Sequence, residues 1–99
     1  PAVEAVGALA FDRAARVLTG PEGEIGLSRR ELALFEALLD QFGRVAGKET
    51  LSARLYGTGA DVEDNAIELL VSRLRKKLAG SGVEIRTLRG LGYLMRVAG

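Results

Sequence analysis

The sequence predicts an α+β domain with a small antiparallel sheet first, three helices next and a β-hairpin last. Three observations lead there: short apolar segments broken by turn residues at the start, apolar residues at three- and four-residue intervals in the middle, and two strand-like runs joined through a glycine pair at the end.

Taken in order, Ala8 to Phe11, Arg16 to Thr19 and Glu24 to Leu27 are the strand segments, separated by Asp12 to Ala15 and by the turn-forming Gly20-Pro21-Glu22-Gly23. Ser28-Arg29-Arg30-Glu31 is a capping box, in which the serine hydroxyl accepts from an orphan helical N–H and Glu31 reaches back. Leu32, Leu34, Phe35, Leu38, Leu39 and Phe42 then follow a helical period, and Gly43 stands where a C-cap is expected. A second helix fits Lys48 to Leu55 and ends before the glycines of Tyr56-Gly57-Thr58-Gly59. The third is expected from about Val62 to Ala79, with Asp61, Glu63 and Asp64 at its positive dipole end and Arg75 to Lys77 at its negative end. Val83 to Leu88 and Tyr93 to Val97 are the final strands, with Gly90 and Gly92 supplying the turn.

With 47% hydrophobic and 27% charged residues and no repeat or linker, residues 1–99 read as one globular domain. Pro1 in place of an initiator Met points to a piece of a longer chain. Apolar runs of only a few residues fall far short of the roughly 20 that cross a bilayer, so no membrane is expected. The absence of cysteine excludes disulfides, a thiolate nucleophile and a cysteine-based zinc site, and it fits a cytoplasmic setting. With no histidine, no phosphate-cradling glycine loop and no convincing carboxylate pair, neither an enzyme nor a cofactor is expected. Asp61, Glu63 and Asp64 lack calcium-loop spacing and suit a helix start.

The charge is polarised. From Ser72 onward seven Lys and Arg stand against Glu84 alone, whereas the first 71 residues hold twelve acids and seven bases. Such a division suggests that one end meets a polyanion, although a basic cluster taken alone is more often a solvated face. At about 100° per residue, Ile67, Val71, Leu74 and Leu78 share one stripe of the third helix, its expected buried side. Lys76, Asn65 and Leu69 lie opposite, flanked by Ser72 and Arg73, while Leu70 belongs to the packing boundary.

A helix from Asp64 to Leu78 with that face has what reading a DNA major groove requires: amide and hydroxyl groups for base edges, cations for phosphates and an apolar group for the thymine methyl. Each residue has a plainer reading beside it. Asn65 suits adenine or a helix cap. Leu69 suits a thymine methyl or is an ordinary exposed leucine, and Ser72 suits a base, a phosphate or plain solvent. Arg73 and Arg75 suit DNA, with Glu68 or Glu84 as alternative partners for Arg75. Lys76 and Lys77 suit phosphates. At the hairpin, Arg89 suits a minor groove or backbone or is a solvated loop residue, and Thr87 suits a phosphate or reflects β propensity.

Five segments in order resemble the C-terminal effector domain of the OmpR/PhoB family of two-component response regulators. They are Leu27-Ser28-Arg29-Arg30-Glu31-Leu32, Gly43-Arg44-Val45, Val62-Glu63-Asp64-Asn65-Ala66-Ile67-Glu68, Val71-Ser72-Arg73-Leu74-Arg75-Lys76-Lys77-Leu78, and Thr87-Leu88-Arg89-Gly90-Leu91-Gly92-Tyr93. The resemblance implies a winged helix-turn-helix with a four-stranded N-terminal antiparallel sheet, three helices and a hairpin wing. It implies that Asn65, Leu69, Ser72 and Arg73 face bases or phosphates, that Arg75 meets a phosphate, and that Thr87 and Arg89 make wing contacts. It implies an N-terminal receiver addressed by a sensor kinase, homodimers on direct repeats of double-stranded DNA, and RNA polymerase contact through Gly57, Thr58, Gly59, Ala60 and Asp61. Leu70 stands where relatives often carry a polar or aromatic group, and Tyr56 where they carry Trp. The rival from another class is a winged-helix module that binds an acidic protein and no DNA.

Overall fold

The computed structural model describes residues 3–63 and 65–98. Four short strands open the fold as a meander: β1 (Val3–Val6), β2 (Leu9–Asp12), β3 (Val17–Gly20) and β4 (Gly23–Ile25), each antiparallel to the next. Register puts Phe11 opposite Leu18 on the inner face, where both are fully buried. Helix α1 (Arg29–Asp40) lies against that face, and the Phe35 ring meets Phe11 edge-on at 5.3 Å between centroids. The short β5 (Val45–Ala46) leads into α2 (Lys48–Tyr56); α3 (Ala66–Lys77), β6 (Val83–Leu88) and β7 (Gly92–Val97) follow. The second sheet has the order β5-β7-β6.

The element order matches the sequence reading, and the differences have local causes. β1 escapes the residue pattern because a charged residue, Glu4, takes the register position opposite Phe11, where its partly exposed carboxylate pairs with Arg13. β5, with two residues, is too short to show a period. Helix α1 stops before Phe42: the N–H groups of Gln41 and Phe42 donate to Leu38 and Leu39, three residues back, tightening the last turn. Phe42 is therefore outside the helical stripe and 38% exposed. Gly43, with φ 79°, lies beyond the helix end, and its N–H donates to Met95 of β7.

The third helix begins later than Val62 and ends before Ala79. One turn upstream of Ile67 the stripe positions are Glu63 and Asp64, so further turns would carry no apolar face to bury. The expected first residue of the reading helix, Asp64, lies outside the described residues. Ile67, Val71, Leu74 and Leu78 are all buried, as is Leu70, and they close the core with Leu34, Leu38, Leu51 and Met95. Burial of each such side chain contributes about 1.5–3 kcal/mol.

The hairpin turn closes through a hydrogen bond from the Leu91 N–H to the Leu88 carbonyl, with Gly90 at φ 75°. Gly92 has a stricter role. Its φ is 143°, and a Cβ there would fall 2.1 Å from the Ala46 carbonyl oxygen and 2.9 Å from the Gly47 Cα. The backbones of β7 and the β5–α2 junction therefore touch where no side chain fits. Gly92→Ala is expected to cost roughly 2–5 kcal/mol from overpacking and strained φ together. Gly90→Ala, whose Cβ would meet open space, should cost only about 1–2 kcal/mol. Urea denaturation of both variants compares them directly; equal costs would refute the close-contact explanation.

Candidate nucleic-acid interface

Helix α3 has four sides, set by its rotation about the buried stripe. The side opposite the core carries Asn65, Leu69, Ser72, Arg73 and Lys76, every one of them exposed. Leu69 is 49% exposed, unlike its buried neighbour Leu70. Asn65 occupies the N-cap position, but its side chain makes no cap hydrogen bond. The capping explanation for this residue is thus absent, and its exposed side chain has no hydrogen-bond partner among the described residues. Among the described residues, neither Arg73 nor Lys76 has an ion-pair partner.

The two flanks of α3 are tied into the fold. On one, Arg75 donates from Nε and Nη2 to the Ile85 carbonyl at 2.9 and 2.7 Å, and from Nη2 to Thr87 Oγ1 at 2.8 Å. The guanidinium thus satisfies the strand carbonyl and ties β6 to the helix while remaining exposed. Neither Glu68 nor Glu84 pairs with it; Glu84 binds Arg96. Thr87 is exposed, and its hydroxyl accepts from Arg75 with its own proton still to donate.

On the other flank, Lys77 Nζ donates to the Gly26 carbonyl at 2.9 Å and to Glu31 Oε1 at 2.6 Å. The exposed Lys77 ammonium is in this way held toward the start of α1. Glu31 is 4% exposed and also accepts from the Ser28 N–H at 2.8 Å, while the Ser28 hydroxyl accepts from the Glu31 N–H. The capping box read from the sequence is complete. Burial pushes the Glu31 carboxyl pKa up, but the Lys77 hydrogen bond, the Ser28 hydrogen bonds and the Lys77 charge together hold it below its ordinary 4.5.

At the hairpin tip Arg89 is exposed and has no ion pair among the described residues. Arg86, not singled out from the sequence, is likewise exposed on β6, where the outward alternation through Glu84, Arg86 and Leu88 would have marked it. A solvent-open groove of about 610 Å³ separates the hairpin from the first turn of α2, and Lys48, Thr50, Glu68, Thr87 and Arg89 are among its lining residues. Gly57 to Asp61 form an exposed loop, with positive φ at Gly57 and Gly59. The arrangement is a helix-turn-helix followed by a wing, with a cationic, internally uncommitted helix face.

The family model described as "Transcriptional regulatory protein, C terminal" matches residues 22–95. The response regulator protein PmrA of Pseudomonas aeruginosa is 42% identical over 87 residues, which is 88% of this chain and 38% of that protein. The transcriptional regulatory protein RstA of Escherichia coli is 35% identical over 91 residues, covering 89% of this chain and 38% of that protein. The chain thus spans well under half the length of these relatives. Among solved structures, the DNA-binding domain of CpxR from E. coli superimposes with a TM-score of 0.83 at 30% identity, covering 98% of each chain. The Klebsiella pneumoniae RstA DNA-binding domain in complex with the RstA box gives 0.82 at 28% identity, covering 95% of this chain and 96% of that one.

The depressed Glu31 pKa has a defined pH signature. Its stabilising contribution is complete above the ordinary value of 4.5 and disappears as pH falls through the lower folded-state value. Glu31→Gln should therefore flatten the loss of thermal stability in that acid range, and an unchanged profile would refute the assignment. Lys77→Ala should cost roughly 1–3 kcal/mol in denaturant unfolding by stripping a buried carboxylate of its charged donor.

Proposed function

The chain belongs to the family of transcriptional regulatory proteins matched over their C-terminal part, and from that membership we propose that it binds double-stranded DNA sequence-specifically to regulate transcription. The observation that carries this reading is the division of α3 into tied flanks and an untied face. Arg75 and Lys77 are held by the fold, whereas Asn65, Leu69, Ser72, Arg73 and Lys76 are exposed opposite the core. In the major groove, Asn65, Leu69, Ser72 and Arg73 meet base edges and Lys76 meets phosphate. The wing brings Arg89 to the minor groove or backbone, with Thr87 at its root.

Relatives more than twice as long, one of them named a response regulator, support an output domain that works under an N-terminal receiver and its sensor kinase. With that receiver, the domain acts as a homodimer on direct repeats. The exposed loop Gly57 to Asp61 is the surface offered to RNA polymerase. The setting is cytoplasmic and the role non-enzymatic; among the described residues no helix is long and apolar enough to cross a membrane.

Selection from a randomised duplex pool at two salt concentrations, with the chain folded and artificially dimerised, tests the reading. Enrichment of a motif is expected; if no sequence is enriched, the acidic-protein partner becomes the better account. Arg73→Ala should weaken binding to the enriched duplex by about 1–3 kcal/mol and relax preference at one position. Lys76→Ala should weaken all duplexes alike and reduce the salt slope by about one. Leu69→Ala should lower preference at a thymine-containing position, and an unaltered motif would return Leu69 to the ordinary surface.

A further inference from the structure

Leu91, at the tip of the hairpin, is 66% exposed, more than any other large apolar side chain among the described residues. Neither burial nor turn geometry calls for an apolar group there. The turn asks of its last residue only the N–H that donates to the Leu88 carbonyl at 2.9 Å, which any residue but proline supplies. The leucine is nevertheless held firmly. Its carbonyl oxygen lies against the β5–α2 junction, 3.7 Å from where a Cβ on Gly47 would stand, and the next residue, Gly92, packs its backbone on Ala46. A ligand would therefore meet it with most of the backbone ordering already done. Arg89, two residues earlier in the same turn, lines the groove beside α2 together with Leu91.

We propose that Leu91 is a specificity residue of the wing: it packs into the minor groove beside Arg89 and selects an A·T pair, in either orientation, beneath the hairpin tip. The inference rests on the DNA-binding reading above. In the minor groove an A·T pair shows only acceptors, whereas a G·C pair adds the guanine N2 amino group, a donor on the groove floor. An arginine side chain has only donors and a leucine has neither donor nor acceptor. Arg89 alone, long and hydrated, leaves room for a water that accepts from the amino group. The leucine displaces that water, so the amino group is desolvated with no side chain to receive its proton. Against an A·T pair nothing is lost: Arg89 donates to the base acceptors, and the leucine lies on the apolar faces of the sugars.

Anisotropy titrations of the artificially dimerised chain test this on the duplex enriched from the random pool, with each A·T pair replaced in turn by G·C and by inosine·C. Inosine lacks the N2 amino group, so its pair with cytosine keeps the major-groove edge of G·C and takes the minor-groove edge of A·T. At one position the wild-type chain should bind G·C about tenfold more weakly than A·T, and inosine·C should restore binding. Leu91→Ala should reduce that discrimination to about twofold or less and leave the salt slope unchanged, because an apolar contact releases no counterions, whereas Arg89→Ala should lower the slope by about one. Leu91→Met should keep the discrimination. If inosine rescues at no position, or the discrimination survives in Leu91→Ala, the assignment is overturned. It is overturned equally if Leu91→Ala weakens A·T, G·C and inosine·C duplexes alike, which would make Leu91 a contact to protein or backbone. If no sequence is enriched at all, the DNA-binding reading itself falls. Circular dichroism confirms that each variant is folded.

Discussion

Burial of the α3 stripe is the constraint on which the rest of the molecule depends. Ile67, Val71, Leu74 and Leu78 are each no more than 4% exposed, and a helix that hides them has no freedom to rotate about its axis. Turning it by one residue, about 100°, would bring charged and polar groups into the core and expose several apolar side chains. The outward set is therefore a consequence of the inward set. Helices α1 and α2 and strand β6 form the surface that receives this stripe. Contacts behind it, such as Phe11 against Phe35 and the Gly43 N–H on Met95, hold that surface in place.

The same dependence explains what could be read from the sequence. Period and capping are local signals, and they located α1, α2 and the two hairpin strands with small errors at the ends. The stripe of α3 was equally legible, and with it the exposure of Asn65, Leu69, Ser72, Arg73 and Lys76. What the sequence concealed were partners distant in the chain and chemically anonymous. Arg75 and Lys77 look like their basic neighbours, but their acceptors include the Ile85 and Gly26 carbonyls, and a backbone oxygen has no letter of its own. β1 was hidden for a related reason, since Glu4 breaks its apolar alternation and its partner, Arg13, lies nine residues away. The groove between α2 and the wing joins segments some twenty to forty residues apart, which no local pattern relates.

The polarised charge of the chain also looks different in three dimensions. Of the seven cations after Ser72, Arg75, Lys77 and Arg96 are engaged by the fold, holding β6, α1 and Glu84 respectively. Arg73, Lys76, Arg86 and Arg89 are the remainder, exposed and without ion pairs among the described residues. Among the acids, Glu4, Glu36 and Asp40 form a network with Arg13, Arg16 and Arg54 away from α3. Net charge by segment thus overstates the field available to a polyanion, and the useful quantity is the uncommitted charge.

The Arg75 clamp has a mechanical side. Three hydrogen bonds join the middle of β6 to the C-terminal half of α3, so hairpin and helix move as one jaw with a set bite. In the proposed complex, a duplex held between them would meet two points whose separation the clamp sets. Any mismatch with the spacing of its grooves must be absorbed by bending or twisting the duplex, at a free energy that depends on the stiffness of its base steps. A side chain that touches no base would in this way let the domain sense flexibility in sequences that it never contacts.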